Sequence, residues 1–354
     1  MTYNLRLFSL AFLFFCAVIS NVFAFDFKTS KRTHINMVGS STVYPFAAVI
    51  AEEFGRNSKF SATKFPTPIV EATGTGGGFK LFCSGVGYNY PDFSNASRKI
   101  EPSEIAKCGE KGVKEISEIK IGYDGIVLAN SVLGKKFILT KRQIFLALAA
   151  EVPDKKLRQL VKNPYQKWSE IDANLPEINI AIYGPPTTSG TRDAFAELIL
   201  EDVCVKMPEF KAAYFDAKIR KKKCHVIRSD GKFIEAGEND NLIVQKLKND
   251  IHALGIFGFS FLEENHGVIQ AAEINETLPT FANIVSGEYS VSRPLFIYFK
   301  KEHLNLIPGM REFIAEIISK DTIGTDGYLL QKGLIPLTDA EFKKVQDDVA
   351  KSLN

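Results

Sequence analysis

The sequence predicts an α/β fold of two lobes, each a mostly parallel sheet flanked by helices, joined by crossover strands. Three observations predict it. Short apolar strands alternate with stretches of helical periodicity along the 354 residues, the pattern of parallel sheets covered by helices. No internal repeat, low-complexity segment or Pro/Gly/Ser-rich linker divides the chain, so strands rather than a tether have to connect the lobes. Three times, a strand hands over to a helix or helix-like segment through a stretch of Ser, Thr and Gly.

The first such unit is a strand over Thr33–Val38, then Gly39-Ser40-Ser41-Thr42-Val43, then a helix over Tyr44–Phe54. Pro45 sits in its first turn, where a missing N–H costs nothing, and Gly55 is expected to end it. The second unit is Ile69–Ala72, Thr73-Gly74-Thr75-Gly76-Gly77-Gly78 and Phe79–Cys83. The third is a strand over Ile178–Tyr183, the breaker Gly184-Pro185-Pro186, then Thr187–Asp193 and a helical repeat from Ala194 to Leu200. Between them, Glu118–Ser131 reads as a buried strand pair interrupted at Tyr123-Asp124-Gly125, which serves as a turn or presents a carboxylate. Helices are expected at Pro102–Lys107, Lys141–Ala150, Leu242–Lys248 (after the capping cluster Glu238–Asn241), Gly309–Ser319 and Asp321–Lys332. Trp168–Leu175 reads as a loop or short helix, and Arg220–Lys223 as a solvated charged face. Gly255–Phe261 and Ser292–Phe299 read as buried strands.

The N-terminus carries an address. Arg6, an apolar run from Leu7 to Ile19 and Val22-x-Ala24 suit a signal peptide over residues 1–24, cut before Phe25. Its removal takes one cysteine of five and moves the formal charge from +3 to +2, because Arg6 is the only charged side chain in it. Four cysteines remain, an even number in an exported chain, and the local pairing Cys83–Cys108 with Cys204–Cys224 is preferred among the three possible. The slight positive charge argues weakly against a nucleic-acid binder. Histidines and cysteines show no metal-ligand spacing, so no metal or cofactor is expected.

The three hydroxyl loops suit a ligand that accepts many hydrogen bonds. The first N–H groups of a helix lack internal partners and carry partial positive charge, so hydroxyls placed there make an anion site. Read alone, Thr187–Phe195 suits an ordinary Ser/Thr cap equally well. A buried tetrahedral oxyanion needs a donor for nearly every lone pair. A carboxylate at Asp124 would then choose among oxyanions. It accepts a hydrogen bond from phosphate, whose esters have a second pKa of about 6, and repels sulfate, which carries no proton. Nucleotide loops are disfavoured: Phe79 stands at the third glycine of G-x-G-x-x-G, and no Gly-Lys-Ser/Thr follows either glycine-bearing loop. Ser189 does not sit in a G-x-S-x-G elbow, and no histidine accompanies the loops, so catalysis is not expected.

Gly39-Ser40-Ser41-Thr42-Val43-Tyr44-Pro45, Thr73–Gly78, Asn95-Ala96-Ser97-Arg98, Asp124-Gly125, Ser189-Gly190-Thr191-Arg192-Asp193 and Ser292-Arg293-Pro294-Leu295 occur in that order. Together they resemble the periplasmic phosphate-binding proteins of Pst-type ABC transporters, over roughly residues 35–335. The resemblance implies a two-lobed periplasmic-binding-protein clamshell, monomeric, that closes on one inorganic phosphate and delivers it to a membrane permease. It implies lobes of 25–122 plus 290–354 and of 123–289. It implies phosphate ligands at Ser41, Thr42, Val43, Thr75, Gly76, Ser189, Gly190 and Thr191. Some members carry an Asp where this chain has Arg98, and an Arg where it has Pro185. A charge swap accounts for both: Arg98 and Arg192 supply positive charge and Asp124 accepts the phosphate's proton. The rival readings are a receptor for sulfate or molybdate and a secreted phosphatase-like enzyme.

Overall fold

Nine strands form the central sheet: β1 Asn36–Gly39, β2 Ile69–Ala72, β3 Phe93–Ala96, β4 Ile116–Ser131, β5 Ile182–Gly184, β6 Phe233–Glu235, β7 Leu254–Gly258, β8 Ile269–Ala271 and β9 Ser292–Lys300. Their order is β2-β1-β3-β9-β4-β7-β5-β6, with β8 also on β4. The computed structural model describes residues 31–57, 64–154, 156, 159–237 and 240–353. The expected signal peptide and Glu238-Asn239 of the capping cluster lie outside them. Residues 33–354 form one compact unit.

The parallel pairings are the outer ones. β1 lies between β2 and β3, and β5 between β7 and β6, all parallel. The pairings of β4 and β9 are antiparallel. Each half of the sheet therefore has three parallel strands joined onto a central antiparallel pair, a mixed rather than purely parallel arrangement. Strand β4 belongs to both halves: Ile116–Gly125 pairs with β9, and Ile126–Ala129 pairs with β7.

The expected break at Tyr123-Asp124-Gly125 does not occur, and β4 runs unbroken for 16 residues. Long-range pairing overrides the local turn signal. Arg293 and Ser292 lie opposite Asp124 and Gly125, while Tyr123 exchanges backbone hydrogen bonds with Ile335 on its other side. Gly125 serves packing instead, because an added Cβ would stand 3.0 Å from Ile335 and 3.1 Å from Ile284.

Four other elements differ from expectation. Helix α1, Tyr44–Asn57, runs through Gly55, and that glycine makes room for Thr67, whose Oγ1 would lie 2.0 Å from a Cβ. Three glycines of the second loop fall inside helix α2, Thr75–Phe82. Strand β7 stops at Gly258, and Phe259–Glu264 is helical. The stretch after Asp321 is a short turn of helix, Lys320–Ile323, and a separate 3₁₀ turn, Leu330–Lys332. Helix α3, Pro102–Glu110, is joined to the end of α2 by the disulfide Cys83–Cys108; Cys204–Cys224 is the second bridge. Both pairings are the expected ones. The core is continuous under both halves, from Phe54, Phe93 and Phe313 to Phe137, Phe145 and Trp168.

Candidate functional site

Two chain segments meet near Asp124 on β4, where that strand passes from one half of the sheet to the other, and another packs against one of them at Gly39. The first is the turn Ser40–Val43 between β1 and α1. Strand β1 ends on Gly39, held by Thr73 N–H to its carbonyl (2.8 Å) and followed by Ser40 N–H to Asn95 O (3.0 Å). Only glycine fits there: φ is +144°, and a Cβ would collide with Asn95 O at 2.0 Å. Val43 is buried, and the Ser41 hydroxyl points away from α1, donating to Asp193 Oδ2 at 2.7 Å.

The second segment is the start of α2. Gly74 precedes it with φ +73° and gives no side-chain cap. The helix opens with Gly78 N–H donating to Gly74 O, so the N–H groups of Thr75, Gly76 and Gly77 come before its first i→i−4 bond. Gly78 lets this end close onto β1, since a Cβ would sit 2.5 Å from Gly39 Cα. The Thr75 hydroxyl meets Ser97 Oγ at 3.0 Å and accepts from Ser97 N–H at 3.2 Å.

The third segment is Ser189 with helix α4, Gly190–Phe195. Ser189 is the N-cap by position, but its hydroxyl makes no capping hydrogen bond. The ordinary capping reading therefore does not describe it. Gly190 faces the first segment directly: a Cβ there would lie 3.3 Å from Ser41 O and 3.4 Å from Thr42 Cα. Ser41, Thr42, Ser189 and Gly190 are thus brought together from opposite halves of the sheet. Asp124, Ser189 and Thr191 share a cavity of about 450 Å³, also lined by Ser260 and Lys332.

The electrostatics centre on a residue not among the expected ligands. Arg293, opposite Asp124 on β9, donates through Nη2 to Thr42 Oγ1 at 2.8 Å and through Nη1 to Glu197 Oε2. Its Nε lies 3.7 Å from Asp124 Oδ2. Both of those atoms are buried and neither makes a close hydrogen bond, so they compensate each other only as a loose ion pair and keep hydrogen-bonding capacity for a ligand. Burial pushes the Asp124 carboxyl above its ordinary value; Arg293 opposes the rise and the Glu197 carboxylate adds to it. A raised carboxyl suits sharing a proton with an oxyanion.

The two arginines expected to bring positive charge are engaged elsewhere. Arg98 grips Glu104 of α3 through both guanidinium nitrogens at 2.9 and 2.8 Å and lies 5.6 Å from the Phe79 ring centre. The Glu104 hydrogen bond holds its pKa above the usual arginine value. Arg192 stacks 4.3 Å from the Phe233 ring centre, donates to Pro185 O at 3.1 Å and has Glu235 at 3.9 Å. Burial pushes its pKa down. Among the described residues, the guanidinium hydrogen bonds of both go to Lys99 O, Glu104 and Pro185 O and not to the hydroxyls of the three segments. The motifs Ser292–Leu295 and Asn95–Arg98 contain Arg293 and Ser97 but assign them no role; an arginine beside proline at the start of a buried strand is the one signal for Arg293 in the sequence. Among the described residues, no group of His, Cys, Asp or Glu is placed to hold a metal, and no helix is long and apolar enough to cross a membrane.

Residues 28–321 match the family described as PBP superfamily domain. Protein SphX of Synechococcus elongatus is 30% identical over 293 residues, 81% of this chain and 74% of that protein. The phosphate-binding protein PstS of Staphylococcus saprophyticus is 27% identical over 285 residues, 79% of this chain and 74% of that one. Among solved structures, one described as a possible phosphate binding protein from Planctomyces limnophilus superposes with a TM-score of 0.72 at 29% identity, covering 92% of this chain and all of that one. PstS from Borrelia burgdorferi shares the fold, with a TM-score of 0.56 at 17% identity over 87% of this chain and all of that one. A shared fold and matched sequence over most of the length lead to one conclusion: the chain belongs to the PBP superfamily, alongside the PstS and SphX proteins.

Proposed function

We propose that this chain is an exported receptor for inorganic phosphate that delivers it to the permease of an ABC importer. One observation carries the reading. Arg293 Nε and Asp124 Oδ2, buried without a close hydrogen bond, form a loose ion pair 3.7 Å apart beside the approach of Ser41 to Gly190. A phosphate there takes hydrogen bonds from hydroxyls and from the free N–H groups at the starts of α2 and α4. Arg293 supplies charge, and Asp124 accepts the proton that sulfate lacks. The names of the PstS relatives and of the Planctomyces structure support the same anion.

The lobes are residues 25–122 with 290–354 and residues 123–289, and β4, which pairs with β9 and then with β7, runs from one into the other. The receptor works as a monomer in the periplasm, as a carrier and not as a catalyst. Calorimetric titration of the purified chain with phosphate, sulfate and molybdate tests this: one phosphate binds with a clear preference over the other two. Equal or tighter binding of sulfate or molybdate overturns it.

A further inference from the structure

Lys206–Val226, on the half of the molecule carrying α4, holds seven basic residues (Lys206, Lys211, Lys218, Arg220, Lys221, Lys222, Lys223) and two acids (Glu209, Asp216), a formal +5. The whole chain is +3, so the remainder carries −2 and the positive charge is local. Within this stretch, helix α5, Ala217–Cys224, buries only Cys224. The Cys204–Cys224 bridge ties its end down, and Asp216 caps its start through Lys218 N–H and Ile219 N–H. One side of α5 is engaged by the protein: Lys221 pairs with Glu201 at 3.1 Å, Arg220 donates to Tyr214 O, and Lys223 lies over the Tyr214 ring.

The other side faces solvent. Phe215 is 87% exposed, Ile219 53% and Val226 47%. Lys211, Lys218 and Lys222 are exposed around them and, among the described residues, enter no salt bridge. Positions 218, 219 and 222 fall on one face of α5, and Phe215 stands just before its N-cap Asp216. A merely solvated charged face has no use for a protruding phenylalanine and isoleucine. A soluble polyanion satisfies the lysines and leaves those side chains in water. An anionic lipid surface meets both demands, with headgroups for the lysines and the upper acyl region for Phe215 and Ile219.

We infer that Phe215 and α5 form a docking surface for anionic phospholipid, which holds the protein reversibly at a membrane face without involving the cleft. The surface lies outside the phosphate site and does not depend on that reading. Each lysine close to such a surface raises partitioning about fivefold. The full chain is tested by flotation with phosphatidylcholine vesicles with and without phosphatidylglycerol, at low and high salt, as wild type, Lys218→Glu/Lys222→Glu and Phe215→Ser. The apolar N-terminal run is common to all three, so it cancels in the comparison.

The expected result is salt-sensitive binding of the wild type to phosphatidylglycerol vesicles. The double reversal lowers it by about 25-fold or more, and Phe215→Ser lowers it by about tenfold with the salt dependence kept. Phosphate titration and thermal melting, unchanged in both variants, show that the fold is intact. The inference is overturned if the double reversal leaves the preference for phosphatidylglycerol unaltered. It is equally overturned if the wild type binds heparin but not anionic vesicles, which assigns the lysines to a soluble polyanion.

Discussion

Arg192 and Arg293 are both arginines withdrawn from solvent near the same loops, and their surroundings are opposite. Arg192 sits on a helix next to the hydroxyls, yet an aromatic face, a carbonyl and a distant carboxylate occupy it. Arg293 comes from a central strand, bridges Thr42 and Glu197, and keeps its Nε without a close hydrogen bond, 3.7 Å from Asp124 Oδ2. Nearness in sequence to a binding loop says little about where a long side chain ends. Unspent hydrogen-bonding capacity says more.

The largest effect is expected at Arg293. Arg293→Ala removes a charged donor and weakens phosphate binding by about 2–3 kcal/mol, roughly 30- to 150-fold, in a titration; a change under about threefold would transfer the role to Arg192. Asp124→Asn comes next, weakening phosphate about tenfold and raising sulfate affinity by at least as much. The wild type itself should show the pH signature. Its carboxyl is raised, so it gains a proton as the pH falls towards its shifted value, above the ordinary 3.8. Sulfate binding should therefore strengthen with acidification in the wild type and stay flat in Asp124→Asn, as read by titrations across pH.

Ser41→Ala removes one hydroxyl and its bond to Asp193, and should cost about 1 kcal/mol of affinity, near fivefold. Arg192→Met sharpens the contrast from the other side. It should lower stability by about 1–2 kcal/mol through the lost ring and carbonyl contacts, while phosphate affinity moves less than about threefold; melting and titration on one sample separate the two. Arg98→Ala is expected to be the mildest, since its pair with Glu104 is 39% exposed on the arginine side and is worth under about 1 kcal/mol to the fold.

These outcomes bear on what the sequence revealed. The loops were legible because hydroxyls and glycines at a strand-to-helix passage have a local physical meaning, and Gly39 and Gly78 are glycines for close approach. The disulfides were legible from an even cysteine number and short separations. Arg293 was not, because its partnership with Asp124 depends on the register of strands 169 residues apart, counting from 124 to 293. The unbroken β4 was missed for the same reason: Asp124-Gly125 is a turn signal locally, and only β9 and Ile335 overrule it. Helix α6, Asp339–Leu353, was not foreseen either. It buries little beyond Val349 and is anchored by Glu341, which accepts from Lys120 and Tyr123 at 2.8 and 2.6 Å.

Gly190 has a practical use. With Ser41 O and Thr42 Cα only 3.3 and 3.4 Å from where its Cβ would be, the position works as a feeler gauge between the halves. Alanine asks the gap to widen by a few tenths of an ångström, and valine or leucine asks for progressively more. A graded series there would wedge the receptor ajar by chosen amounts without removing a proposed side-chain donor. Access to the cleft would then become an adjustable dimension, and the carrier could be tuned stepwise into a faster-releasing phosphate sensor.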